Sequence, residues 1–185
     1  MKSKLFAGVA IALIAGFASA AELKSGPQVG EKIRVPFYPL NINGPTPSEK
    51  KCLVCRNGDH PVAMIFARSA DDKNLVALMK KIDAITASNS DCQMGSFVVF
   101  CTDDDKTEKT LAELAKKESY KKLVLSVDNP AGPKEYSVAK DADITVVLYT
   151  DRDVKANYAF KKGALTEKDV EAIVKDVAKI TPTKK

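Results

Sequence analysis

Residues 62–67 read Val62-Ala63-Met64-Ile65-Phe66-Ala67, without a single polar side chain. An apolar run of this length fits a strand buried on both faces, as in the middle of a parallel sheet. Two further strands are predicted, a second buried one at Phe97-Val98-Val99-Phe100 and a third at Leu123 to Val127. Between them the period changes. Residues 71–88 place Leu75, Leu78, Met79, Ile82 and Ile85 at three- and four-residue spacing, and residues 106–118 present Leu111, Leu114 and Ala115. Both patterns predict amphipathic helices. Ser69 with Asp72 three residues on predicts the start of the first. Alternation of this kind predicts an α/β fold with right-handed crossovers, parallel core strands and helices on both faces of the sheet.

The last third has a different pattern. Ile144 to Tyr149 and Val154 to Phe160 read as strands joined by the turn Thr150-Asp151-Arg152-Asp153. In the second of them Val154, Ala156, Tyr158 and Phe160 alternate with Lys155, Asn157 and Lys161, which predicts one wet face and an antiparallel hairpin at the sheet edge. Thr166 with Asp169 opens a final helix carrying Val170, Ile173, Val174 and Val177, and Pro182 stops it. Residues 21–60 are rich in Pro, Gly and Lys. Pro36 and Pro39 confine any strand between Ile33 and Leu40 to an edge or an irregular path, and Asn43-Gly44-Pro45-Thr46-Pro47 predicts a turn.

The first residues bound the compartment. Lys2 and Lys4, an apolar run from Leu5 to Phe17 and then Ala18-Ser19-Ala20 have the three parts of a secretory signal peptide. The run is about 13 residues, short of the roughly 20 that a membrane-spanning helix needs. The expectation is removal of residues 1–20 and export of one domain, 21–185 with its core at about 29–181, to a periplasmic or secreted location. No second long apolar stretch follows, so the mature chain is not expected to be membrane-embedded. The net charge of +5 comes from scattered lysines without an arginine-rich or aromatic-interleaved patch, so nucleic-acid binding is not indicated. Nothing resembles a phosphate-binding glycine loop, and no cofactor is expected.

Export makes the four cysteines, Cys52, Cys55, Cys92 and Cys101, candidates for pairing. Cys52-Leu53-Val54-Cys55 is a Cys-x-x-Cys pair flanked by Lys50, Lys51 and Arg56, cations that favour thiolates. In a strand the two side chains point to opposite faces. A turn or helical start brings them within the Cα limit of about 7 Å for a disulfide, and local propensity does not decide between these. Cys92 precedes the second core strand and Cys101 ends it, and the extended chain from Gly95 to Cys101 covers about 20 Å. That span argues against a bond between them. In a parallel sheet the loops before the first and second strands share one end, which makes Cys92 a candidate third redox partner for Cys52 or Cys55 and leaves Cys101 at the other end as a buried free thiol. Three readings of Cys52 and Cys55 stay open: redox exchange with protein thiols or disulfides as substrates, a structural disulfide, and copper or zinc binding with His60 as an added ligand. Arg56 stands where a haem-attachment motif needs histidine. The acidic run Asp103-Asp104-Asp105 reads as a solvated loop at a helix start.

The strand-helix order resembles the thioredoxin-like superfamily over residues 29–181. Val29-Gly30-Glu31-Lys32, Phe37, Leu40 and Asn43-Gly44 are similar to the entry segment of its exported branch, which includes peroxiredoxins and TlpA-type thiol-disulfide proteins. Tyr149-Thr150-Asp151-Arg152-Asp153-Val154 and Lys162-Gly163 are similar to the closing hairpin. The resemblance implies a central mixed sheet, parallel core strands plus an antiparallel C-terminal hairpin, flanked by helices. It also implies Cys-x-x-Cys just after the first core strand and a cis-proline before the hairpin. Here those places read Ala67-Arg68-Ser69-Ala70-Asp71-Asp72 and Asp143-Ile144. The implied site is therefore rearranged or degenerate. The leading expectation is an exported thiol-disulfide oxidoreductase using Cys52 and Cys55. The alternative is a catalytically inactive binding domain with structural cysteines.

Overall fold

The computed structural model describes residues 23–182, so the expected export segment lies outside the described residues. In chain order the elements are β1 (Leu40–Asn41), α1 (Leu53–Asn57), β2 (Val62–Ala67), α2 (Lys73–Ser88), β3 (Gly95–Cys101), α3 (Thr107–Glu118), β4 (Val124–Asp128), β5 (Ile144–Thr150), β6 (Asp153–Phe160) and α4 (Glu167–Asp176). One six-stranded sheet runs in the order β1-β4-β3-β2-β5-β6. β2, β3 and β4 are parallel neighbours, while β5 and β6 add the expected antiparallel hairpin beside β2. All six side chains of β2 are buried, as its unbroken apolar run requires.

Helices lie on both faces, as expected, but unevenly: α2, α3 and α4 share one face, and only the single turn α1 packs on the other. Leu75, Leu78, Met79 and Ile82 of α2, Leu111 of α3, and Val170 and Ile173 of α4 all join one core with Ala63, Ile65, Val98 and Leu125. The chain steps from β2 to β3 to β4 in one direction across the sheet. Two right-handed crossovers taken in the same direction place both helices on the same face. The opposite face is covered by the N-terminal segment and by the turn at residues 134–136. There Ile33, Phe37, Cys52, Leu53, Val54 and Tyr136 pack on Met64, Phe66, Phe97 and Val99. Phe37 and Tyr136 meet edge to face at 4.8 Å, and the Tyr136 hydroxyl donates to the Val35 carbonyl at 2.6 Å. Strand pairing in the segment is limited to Leu40–Asn41 at the outer edge of β4 and to isolated bridges, Lys32 with Asp153 and Leu40 with Lys50, in keeping with its prolines.

Two helix starts test the capping expectations. Thr166 and Asp169 form a reciprocal capping box at α4. At α2, however, Asp72 rather than Ser69 is the cap, and its carboxylate accepts the N–H groups of Asn74 and Leu75. Ser69 instead accepts from Asp71 N–H in the preceding loop. In the hairpin turn Asp151 and Arg152 both have positive φ, 53° and 63°, the geometry that matches the right-handed twist of the strands.

Candidate functional site

α1 settles how Cys52 and Cys55 lie. Cys52 precedes the helix as its cap, and the single helical turn places Leu53 and Val54 into the core while Cys55 faces outward. The two Cα atoms are 5.3 Å apart, and the sulfurs form a disulfide. Leu53-Val54 suited a strand as well as a turn. The turn forms because its apolar pair buries on one side, while Gly58, at φ 54°, ends the helix in a conformation that favours glycine. The helix is pinned from below. The Asn57 side chain donates to the Leu53 carbonyl at 2.8 Å and lies directly against Gly95 at the start of β3. A Cβ at residue 95 would fall 2.1 Å from Asn57 Oδ1, so only glycine admits this approach.

The two sulfurs are not equivalent. Cys52 is 8 % exposed and belongs to the apolar cluster under the N-terminal segment, whereas Cys55 is exposed. The Cys55 backbone N–H donates to Cys52 Sγ at 3.0 Å. Beside the pair, Lys51 reaches Glu49 at 3.4 Å, and the Arg56 side chain is exposed.

The other cysteines lie elsewhere. Cys92 sits at the expected end of the sheet, but it packs on the helical face, across the sheet from Cys52. Its thiol is free and donates to the Asn89 carbonyl at 3.2 Å. Sequence order gives the end of a sheet and not the layer, so it brings the two to one end without showing that the sheet separates them. Cys101 is free and 3 % exposed, as expected. Burial pushes its thiol from 9.0 up to about 12, with a smaller lowering by Arg68 and a smaller raising by Asp128. A thiol that ionises more readily when unfolded contributes stability that is complete below pH 9 and is lost as pH rises towards 12. Stability is therefore expected to fall by up to about 1.4 kcal/mol per pH unit in that window. Urea unfolding at pH 8 and pH 10 checks this: Cys101→Ala should flatten the decline, and an unchanged slope would contradict it.

His60 is exposed and lies beyond α1, where its N–H donates to the Asn57 carbonyl. Among the described residues no group of three His, Cys, Asp or Glu side chains is placed to hold a metal ion. Asp103, Asp104 and Asp105 are exposed, and Asp104 accepts the Lys106 N–H just before α3. Among the described residues no helix is long and apolar enough to cross a membrane.

The junction after β2, where the resemblance implied the cysteines, is filled by Arg68. Its guanidinium donates to the carbonyls of Pro130, Ala139 and Ala142, and its N–H donates to Asp143 O. The structure contains no cis peptide bond among the described residues. β2 spans six residues, so this end and the disulfide are separated by about 20 Å of strand. The arginine clamp was not foreseen. Its signal was a lone cation directly after a buried strand.

A cleft of about 680 Å³ opens at the disulfide-bearing end of the sheet. It is lined by Arg56, Asn57 and His60 on one side and by Tyr120, Lys121 and Lys122 on the other. α1 turns Leu53, Arg56 and Asn57 towards this cleft, three- and four-residue neighbours on one helical face.

The chain matches no protein-family model and no curated protein by sequence. Solved structures are similar to it. A solution structure assigned as a protein disulfide isomerase from Bacteroides thetaiotaomicron matches with a TM-score of 0.62 at 18% identity, over 86% of this chain and 94% of that one. A thiol peroxidase from Chromobacterium violaceum matches at 0.59 and 11% identity, over 85% and 90%. A structure assigned as the thiol:disulfide interchange protein DsbE from Chlorobium tepidum matches at 0.57 and 13% identity, over 86% and 99%. These likenesses show the fold: a thioredoxin-like α/β sheet of the kind found in peroxiredoxins and thiol-disulfide interchange proteins.

Proposed function

We propose that this thioredoxin-like chain is an exported thiol-disulfide oxidoreductase whose working pair is Cys52–Cys55, with protein thiols or disulfides as substrates. The observation that carries the reading is a disulfide on a helical turn with one sulfur exposed to solvent. Exchange proceeds by thiolate attack on a disulfide sulfur, so a reachable sulfur is its first requirement. The similar folds include proteins assigned as a disulfide isomerase and a thiol:disulfide interchange protein. Export rests on the residue pattern at 1–20 and places the chain where disulfides persist. Cys92 and Cys101 take no part, one lying on the other layer and the other buried.

A second reading is a binding domain that kept the fold and lost its exchange chemistry. The Arg68 clamp at the junction after β2 favours it, because that end of the sheet is closed by hydrogen bonds rather than opened around a thiol. One assay separates the two. The oxidised protein is mixed with a dithiol peptide and compared with equimolar oxidised glutathione. The oxidoreductase reading expects the protein to oxidise the peptide at least about tenfold faster. A rate no greater than that of glutathione would favour the binding domain.

A further inference from the structure

We infer that the two cysteines have fixed and unequal roles: Cys55 is the sulfur at which substrates exchange, and Cys52 is the leaving sulfur. This rests on the exchange reading above and goes beyond it by assigning each atom.

Attack on a disulfide runs in line, with the incoming thiolate approaching opposite the sulfur that leaves. Approach to Cys55 comes from solvent, because that side chain is exposed. Approach to Cys52 comes from within the apolar cluster that it shares with Phe37, Leu53 and Val54, and this layer has no room for a polypeptide. The leaving sulfur must also carry the negative charge. Cys52 Sγ already accepts the backbone N–H of Cys55, and a hydrogen bond donated to the charged form favours it. Access and charge stabilisation therefore select the same direction.

The steps balance as follows. A substrate thiolate forms a bond to Cys55 Sγ, the Cys52–Cys55 bond breaks, and its electron pair stays on Cys52 Sγ as a thiolate. The second thiolate of the substrate then attacks the substrate's own sulfur in the mixed disulfide and releases Cys55 as a thiolate. The substrate leaves as a disulfide, having given two electrons, and its two thiol protons pass to solvent or to the reduced pair. In the reverse direction Cys55 attacks a substrate disulfide and Cys52 resolves the intermediate.

The test compares the folded single variants Cys52→Ser and Cys55→Ser, each checked by circular dichroism, in reaction with a peptide activated as a mixed disulfide. Mass spectrometry follows adduct formation. In parallel, the unsubstituted oxidised protein is given a limiting monothiol peptide, quenched with N-ethylmaleimide and mapped. The expected result is roughly 100-fold faster adduct formation in Cys52→Ser, which keeps Cys55, than in Cys55→Ser. In the unsubstituted chain the peptide should be found on Cys55 and the maleimide on Cys52. Equal rates, or a faster Cys55→Ser variant with the peptide on Cys52, would overturn the role assignment and leave the exchange reading standing. If neither folded protein reacts while both variants react in denaturant, the exchange reading and the assignment fail together.

Discussion

Replacing both Cys52 and Cys55 with serine is expected to lower dithiol-peptide oxidation at least about 100-fold while leaving the chain folded. They form the disulfide that carries Cys55, the one exposed cysteine among the described residues. Cys92 cannot replace them from the helical face, nor Cys101 from beneath the far end of β3. The cost in stability is small for a covalent bond, because the closed loop has a sequence separation of only 3. Chain entropy for so short a loop gives about 2 kcal/mol. The burial of Leu53 and Val54, the Asn57 hydrogen bond and the Gly95 approach all remain to hold α1 in place. Peptide oxidation and thermal unfolding of the same double variant check both halves. A variant that oxidises peptide at the full rate contradicts the site.

The largest effect on stability is expected from Asp83→Ala. Asp83 lies on α2 and is 8 % exposed. Its carboxylate accepts the backbone N–H groups of Lys121, Lys122 and Leu123, at 3.0, 2.7 and 2.7 Å to Oδ1. These donors open the approach to β4, where the chain arrives from α3 and no strand partner can satisfy them all. Alanine leaves them without an acceptor, the buried Leu123 N–H included, at about 3 kcal/mol and roughly 10 °C in Tm. Asp83→Asn keeps one carbonyl oxygen and should lose about half as much. Urea and thermal unfolding measure the difference; a change below about 0.5 kcal/mol for alanine would remove Asp83 from the account.

The legible parts of the fold were those decided by burial of a single segment. Val62–Ala67 is apolar at every position because both faces of β2 are covered, and such a run has no other economical reading. Thr166 and Asp169 cap α4 as their spacing predicts, since both partners lie within one turn. Ser69 misled because Asp72 also caps, three residues nearer the helix, and a local pattern does not rank the two. What could not be read was anything that depends on strand order. The side of the sheet taken by α2 and α3 follows from the direction β2-β3-β4, and so does the separation of Cys92 from Cys52 into different layers. At the site, the Cys-x-x-Cys spacing was visible, but its helical turn depends on Leu53 and Val54 burying against Phe66 and Phe97. The Arg68 clamp was hidden for the same reason, because its three acceptors lie more than sixty residues away in the chain.

On the function proposed above, Cys52–Cys55 is an exchange disulfide rather than a permanent staple. Thiol counting by mass spectrometry across defined redox buffers tests it most directly. This pair is expected to open reversibly between about −120 and −270 mV, the range of known exchange catalysts, while Cys92 and Cys101 stay unpaired throughout. A Cys52–Cys55 bond that persists well below about −300 mV would be structural and contradict the exchange function.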